Sequence, residues 1–97
     1  MAELLTDDRI ADFCGVNPRW TREGDSLVGE VKAPTFLEGI DYVGKVAEVA
    51  EEMDHHPDID IRWRTLTFRL STHSEGGITD LDTTLAERID LIVGALS

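Results

Sequence analysis

Residues 35–57 read TFLEGIDYVGKVAEVAEEMDHHP, and this stretch decides how the rest of the chain can be arranged. Thr35 with Glu38 three positions later forms a capping box, which predicts that a helix begins here and continues to about Asp54. Pro57 then stops the helix, because proline lacks an N–H and disfavours helical backbone at the residue before it. The stretch therefore predicts one long helix that ends beside a pair of histidines.

The apolar residues of this long helix fall into two rows, namely Phe36, Ile40, Val43, Ala47 and Ala50 in one, and Tyr42, Val46, Val49 and Met53 in the other. Each row steps by three or four residues, so together they form a broad apolar arc. One row can cover a sheet. The second row needs another cover, which either a partner subunit or the other helices of the same chain could supply, and the sequence leaves both open.

Strand patterns flank the long helix on both sides. Residues 20–32 predict two strands around Glu23-Gly24-Asp25, with Gly24 suited to the turn. After the helix, residues 59–63 and 66–73 alternate between apolar and polar side chains, which predicts strands 3 and 4. The apolar residues of strand 3 are Ile59, Ile61 and Trp63. In strand 4, the apolar residues Leu66, Phe68 and Leu70 are predicted to face the core. The alternating residues on the opposite face are Thr67, Arg69, Ser71 and His73.

Two further helices are predicted at the chain ends. Thr6 as an N-cap before Asp7-Asp8 begins a short helix that ends by Pro18, with Ile10, Phe13 and Cys14 on its apolar side. Thr79, with Asp82 at the third helical position, caps the last helix, whose predicted buried stripe is Leu81, Leu85, Ile89, Ile92 and Leu96. The order α-β-β-α-β-β-α predicts an α+β fold in which a four-stranded antiparallel sheet carries three helices on one face.

The overall composition narrows the functional classes. The 97 residues (1–97) predict a single domain, and the net charge of −11, with lysine only at Lys32 and Lys45, disfavours nucleic acid and anionic membrane surfaces as partners. No apolar run is long enough to span a bilayer, the N-terminus lacks the features of a signal peptide, and Cys14 cannot form an intrachain disulfide. We therefore expect a cytoplasmic protein. The acidic excess suggests a high-salt, halophilic cytoplasm as a hypothesis.

The three histidines, His55, His56 and His73, are the candidate chemical groups. Histidine suits proton transfer near neutral pH, and carboxylates at Glu51, Asp54, Asp58 and Asp82 surround these positions in the predicted fold. A metal site is disfavoured, because adjacent histidine side chains diverge and no HxxxH spacing is present. The plainest alternative is that the histidines only interact favourably with the negative C-terminal end of the helix dipole and have no further function.

A spaced pattern brings these residues together as Glu51-x3-His55-His56-Pro57-x5-Trp63-x9-His73-x8-Asp82. It resembles the signature of the pterin-4a-carbinolamine dehydratases, a family whose members are also called dimerisation cofactor of hepatocyte nuclear factor 1. The segments Asn17-Pro18-Arg19-Trp20 and Leu70-Ser71-Thr72-His73 resemble further parts of that family. The resemblance extends over essentially the whole chain, and the spaced pattern is far more specific than a histidine pair.

The resemblance implies an activity and its residues. The family dehydrates 4a-hydroxytetrahydropterin to quinonoid dihydropterin in tetrahydropterin recycling, with no metal and no organic cofactor, the pterin being the substrate. By the family pattern His55 and His73 would be the acid/base pair and His56 would mainly bind and position the substrate. Positions near the pterin are matched by Asp54, Ser71 and Trp20.

The remaining implications concern support and partners. Glu51 and Asp82 match signature carboxylates, with an orienting or structural role. Many relatives carry an acidic residue after the third histidine, and this chain has Ser74 there, so its pterin affinity or preference is expected to differ. The family implies a homo-oligomer, either a dimer or a tetramer. It also supplies the alternative function, a protein-binding or dimerisation module, although a pure scaffold would need none of the histidines.

Overall fold

The computed structural model describes residues 2–96 and confirms the predicted order of elements. The helices and strands are α1 (Asp7–Val16), β1 (Trp20–Glu23), β2 (Ser26–Lys32), α2 (Phe36–Met53), β3 (Asp58–Arg62), β4 (Thr65–Leu70) and α3 (Asp80–Leu96), with one 3-10 turn (His73–Glu75) before α3. The predicted caps of the first two helices are in place. Thr6 accepts a hydrogen bond from the backbone N–H of Arg9, and Thr35 accepts one from that of Glu38.

The four strands form one antiparallel sheet in the order β1-β2-β4-β3. Gly29 of β2 lies between Trp20 of β1 and Phe68 of β4. A Cβ atom on Gly29 would lie 2.7 Å from atoms of the Trp20 ring. Glycine therefore lets the indole lie flat across β2 at a distance that no other residue permits.

The core lies between the sheet and the helices. Leu66, Phe68 and Leu70 of β4 are fully buried, whereas Arg69 between them is exposed, so the alternation along this strand matches its prediction. From the helices, the core receives chiefly Ile10, Tyr42, Val46, Leu85, Ala86 and Ile89. The opposite face of the sheet carries mainly polar side chains, such as Thr67 and Arg69, and the core lies on the face that the helices cover.

Trp63 differs from its prediction. Strand β3 ends at Arg62, which pairs with Thr65, so Trp63 and Arg64 form the tight turn between β3 and β4. Trp63 has a φ of +53° and its residue is 70% exposed, and the Arg64 guanidinium lies 4.4 Å from the centre of its ring. The alternating pattern extended the strand one residue too far, because periodicity alone does not mark where a hairpin turns.

The end of β4 was also extended too far in the prediction. The strand stops at Leu70, and His73 begins the 3-10 turn instead of closing the strand. Backbone hydrogen bonds explain the difference, since the N–H of Gly76 donates to the carbonyl of Thr72 at 3.0 Å and bends the chain back. Gly76 has a φ of +73°, which glycine adopts without strain.

Helix α2 ends at Met53, close to the predicted end, but Pro57 is not what ends it. Asp54 adopts the left-handed conformation, with φ 50° and ψ 44°, and the N–H of His55 donates to the carbonyl of Ala50. This is the Schellman arrangement, and it ends the helix at Met53, four residues before Pro57. Both neighbouring histidines consequently lie beyond the helix, in the connection to β3.

The two apolar rows of α2 differ in burial. Tyr42, Val46 and Val49 are buried, as expected of a row that covers a sheet. The other row remains largely open, with Phe36 51% exposed and Ile40 39% exposed. Helix α3 packs against α2 but leaves this second row exposed. The alternative in which the chain's own helices cover both rows is therefore wrong for the second row.

Cys14 and the apolar character of the helices agree with what the composition predicts. Burial raises the pKa of the Cys14 thiol above its ordinary value, and the nearby Arg22 partly offsets that effect. The thiol therefore behaves as a small, weakly reactive side chain on α1. Among residues 2–96, no helix combines the length and the apolar character needed to cross a bilayer.

Candidate functional site

A buried carboxylate at the start of α3 organises the site. Asp82 is 0% exposed, and its Oδ2 atom accepts hydrogen bonds from the Thr72 hydroxyl at 2.8 Å and the Thr79 backbone N–H at 2.9 Å. The local sequence explains this position, since Thr79 precedes the first residue of α3 and Asp82 is its third. A side chain at that position reaches back to the N-cap amide in a capping box.

His55 is attached to the other oxygen of the same carboxylate. Its Nε2 atom lies 2.6 Å from Asp82 Oδ1, and the His55 side chain is 10% exposed. The left-handed Asp54 directs the chain from the end of α2 towards the start of α3, which makes this long-range contact possible. An isolated ionised carboxylate is costly to bury, so the imidazole and the two donors on Oδ2 together satisfy Asp82.

His73 is linked to the same carboxylate through its neighbour in sequence. Thr72, whose hydroxyl bonds to Asp82, directly precedes His73, and consecutive Cα atoms are about 3.8 Å apart. The backbone N–H of Thr72 donates to the carbonyl of Gly77 at 2.8 Å, which holds the turn that carries His73. His73 itself is exposed. The structure thus places the partly buried His55 imidazole against the buried Asp82 carboxylate, and the exposed His73 directly after the threonine that contacts the same carboxylate.

The other predicted residues make contacts of their own outside the Asp82 network. His56 Nε2 is 3.6 Å from Glu51 Oε2, and both side chains are more than half exposed, so this ion pair is weak. Asp54 is exposed beside His55 at the end of α2. The Ser71 hydroxyl donates to the carbonyl of Asp25 at 2.8 Å, which ties the end of β4 to the β1–β2 turn.

Trp20 hydrogen-bonds to Asp90 and not to Asp82 or the histidines. It is 1% exposed, and its indole Nε1–H donates to the Asp90 carboxylate at 3.2 Å. Asp90 follows Asp82 on α3 by eight residues, which corresponds to about 12 Å along a helix. The structure places Trp20 in the core between β1 and α3.

Thr72 and Thr79 are the residues that reasoning from the sequence missed as parts of the site. Thr79 was recognised only as a helix cap, although a capping box already implies contact with Asp82. Thr72 carries no such signal, because its contact with Asp82 depends on the chain turning back through Gly76 and Gly77. The two hydroxyls are 2.7 Å apart, and Thr79 Oγ1 also accepts from the N–H of Leu81 at 3.2 Å.

This arrangement suits proton transfer. A carboxylate behind a histidine fixes the orientation of the ring and stabilises the imidazolium when it forms. An exposed second histidine nearby can serve as the complementary acid or base. Within the described residues, no group of three His, Cys, Asp or Glu side chains is arranged to hold a metal ion.

Comparisons with known proteins agree with the fold and the spaced pattern. The sequence model of the family described as "Pterin 4 alpha carbinolamine dehydratase" matches residues 3–92. A protein of Mycobacteroides abscessus, provisionally named as a pterin-4-alpha-carbinolamine dehydratase, is 64% identical over 91 residues, covering 94% of this chain and 97% of that one. A similarly named protein of Mycolicibacterium smegmatis is 53% identical over 90 residues, covering 93% and 96% of the two chains.

Solved structures show the same architecture. The crystal structure of a transcriptional coactivator/pterin dehydratase from Brucella melitensis superposes with a TM-score of 0.91 at 26% identity, covering 95% of this chain and 100% of that one. A pterin dehydratase-like protein identified as a RuBisCO assembly factor in the alpha-carboxysome shares the fold alone, with a TM-score of 0.64 at 18% identity over 78% of this chain and 88% of that one. The family match and the close relatives lead to one conclusion: this chain belongs to the pterin-4-alpha-carbinolamine dehydratase family.

Proposed function

We propose that this protein dehydrates 4a-hydroxytetrahydropterin, such as 4a-hydroxytetrahydrobiopterin, to quinonoid dihydropterin and water in tetrahydropterin recycling, as a hydro-lyase. The observation that carries the proposal is the contact of His55 with a buried carboxylate that also binds the threonine next to His73. His55 contacts Asp82 directly at 2.6 Å, and His73 follows the threonine that contacts it at 2.8 Å. Membership of the family supplies the substrate class.

The proposed reaction needs two proton transfers and no redox step. One histidine donates a proton to the 4a-hydroxyl, the carbon–oxygen bond breaks with its electron pair on oxygen, and water leaves. The other histidine accepts the proton of a ring N–H, whose electrons form the new double bond of the quinonoid product. A positioned general acid or base contributes about 10²–10⁴-fold to a rate. The proposed chemistry uses neither a metal nor an organic cofactor.

The residues around the pair receive supporting roles in this proposal. His56, exposed beside Glu51, binds and positions the pterin, and Asp54 and Ser71 contact it nearby. Trp20 is left out of this set, because its indole is buried against Asp90. Ser74 supplies no carboxylate where many relatives of the family have one, which we expect to alter pterin affinity and not the reaction itself.

The test is a stopped-flow assay of carbinolamine dehydration with purified variants. We expect His55→Ala and His73→Ala each to lower kcat strongly, and His56→Ala mainly to raise KM. The exposed Asp80→Asn, at the start of α3, serves as a control with unchanged kinetics. Wild-type kcat in both His55→Ala and His73→Ala would refute the assignment of the catalytic pair.

A second candidate function, a protein-binding module, is favoured by the open apolar row of α2. Phe36 and Ile40 remain exposed there, and the name of the Brucella melitensis protein includes transcriptional coactivator. We propose that this row serves self-association into a dimer or tetramer in the cytoplasm. Sedimentation should show an oligomer, and Ile40→Lys should shift it towards the monomer. A wild-type monomer at micromolar concentration would refute the proposed self-association.

A further inference from the structure

The donors and acceptors around Asp82 fix the direction of each hydrogen bond in the buried network of Asp82, Thr72 and Thr79. Asp82 as a carboxylate has only acceptor atoms, so the single hydroxyl proton of Thr72 is donated to Asp82 Oδ2. The Thr79 hydroxyl, 2.7 Å from Thr72, must then donate to the Thr72 oxygen. Its own oxygen accepts from the backbone N–H of Leu81. The chain of hydrogen bonds therefore runs one way, from the first turn of α3 through two hydroxyls to the carboxylate.

The donors and acceptors around Asp82 also decide the tautomer of His55. Because Asp82 Oδ1 also can only accept, His55 Nε2 at 2.6 Å must carry its proton. A neutral imidazole protonated on Nε2 has its lone pair on Nδ1. Within residues 2–96, His55 Nδ1 has no hydrogen-bond partner and is accessible to solvent. The nitrogen left for reaction is thus Nδ1.

We propose that Thr72 is a positioning residue that orients the Asp82 carboxylate, and that this carboxylate keeps His55 as the Nε2–H tautomer and leaves Nδ1 as the nitrogen that exchanges a proton with the substrate. Thr72 touches neither the substrate nor the imidazole in this proposal. Its hydroxyl orients the carboxylate, and the carboxylate orients the ring. The catalytic part of this inference rests on the proposed dehydratase function, whereas the assignment of the tautomer stands on the geometry alone.

Nitrogen-15 NMR of histidine-labelled protein tests the tautomer directly. At a pH where His55 is neutral, two-bond proton–nitrogen correlations of the wild-type protein should show Nε2 protonated and Nδ1 unprotonated. In Thr72→Val, which keeps the side-chain shape and removes the hydroxyl, Asp82 remains a carboxylate and the Nε2–H tautomer should persist, whereas in Asp82→Asn the Nδ1–H tautomer should become populated. Thr72→Ser, which keeps the hydroxyl, should give the wild-type spectrum. An Nδ1–H tautomer in the wild-type protein would overturn the proposal even if Thr72→Val failed to fold.

Kinetics provide the second readout. We expect Thr72→Val to lower kcat about tenfold with KM unchanged, because one hydrogen bond to a buried charged group is lost. Thr72→Ser should stay within about twofold of the wild type. Wild-type kcat in a folded Thr72→Val protein would overturn the role of Thr72. The expected tautomer in a protein without dehydratase activity would instead refute the proposed function and leave the tautomer assignment standing.

Discussion

Replacing Asp82 by asparagine is the perturbation whose result the structure determines most sharply. The amide has the shape of the carboxylate but offers one acceptor and one donor group in place of two acceptors. The N–H of Thr79, 2.9 Å from Asp82 Oδ2, belongs to the backbone and cannot turn away, whereas the Thr72 hydroxyl can rotate. The amide oxygen should therefore remain near Thr79, and the amide NH₂ should face His55.

The consequence for His55 is an exchange of tautomers. Its Nε2 atom, 2.6 Å from the carboxylate in the native protein, would have to accept a hydrogen bond, so its proton moves to Nδ1. The histidine then presents a proton where the proposed reaction needs a lone pair. We expect kcat to fall by about 10²–10⁴-fold, the contribution of a general acid or base, with KM within a few-fold of the wild type.

The stability of the variant separates this effect from misfolding. Loss of charge-assisted hydrogen bonds at a fully buried site should lower the free energy of unfolding by about 1–3 kcal/mol, which leaves a domain of ordinary stability folded. Urea denaturation measures this change beside the stopped-flow assay. Asp80→Asn makes the same chemical change at an exposed position of the same helix turn, and it should leave kcat unchanged and lower the free energy of unfolding by less than about 1 kcal/mol. A folded Asp82→Asn protein with wild-type kcat would refute the reasoning.

Four further predictions concern the fold and its solvent. Gly29→Ala should destabilise the protein by about 1–3 kcal/mol, because the new Cβ lies 2.7 Å from the Trp20 ring, whereas Gly44→Ala in α2 meets nothing within 4 Å and should stabilise it by about 0.5–1 kcal/mol; changes of the same sign in urea denaturation would contradict this contact. Asp54→Gly should relieve the left-handed backbone at φ 50° and raise stability by about 1 kcal/mol while weakening pterin binding, so a lower melting temperature would count against the strain. Because burial raises the pKa of Cys14, iodoacetamide should alkylate the folded protein more slowly at pH 8 than the urea-unfolded chain, and equal rates would argue otherwise. Molar KCl should raise the free energy of unfolding by screening the net charge of −11, and no gain would remove the halophile hypothesis.

The sequence predicted the elements well wherever a local signal existed. The N-cap at Thr35, the alternation of Leu66, Phe68 and Leu70, and the turn at Gly24 each act within a few residues, and each is confirmed. Trp63 was placed in a strand because periodicity does not mark a turn whose residue adopts a φ of +53°. Such a conformation is rare for a bulky side chain, so residue propensities do not predict it.

The site was predictable only in part, for a different physical reason. The histidines and Asp82 could be singled out from their spacing and their resemblance to a family pattern. The contact between His55 and Asp82 joins residues 27 positions apart in sequence, and it depends on how Asp54 ends α2. Thr72 enters the site because Gly76 and Gly77 bend the chain back, and that geometry becomes visible only when the turn is built.

The most direct test of the account is the rate at which purified wild-type protein dehydrates 4a-hydroxytetrahydropterin in a stopped-flow assay. Buffer alone gives the uncatalysed rate, and a His55→Ala, His73→Ala double variant at the same concentration gives the rate without the proposed acid/base pair. We predict that the wild-type protein accelerates dehydration above buffer and that the double variant loses most of this acceleration. A wild-type rate equal to that of buffer would contradict it and favour the protein-binding function.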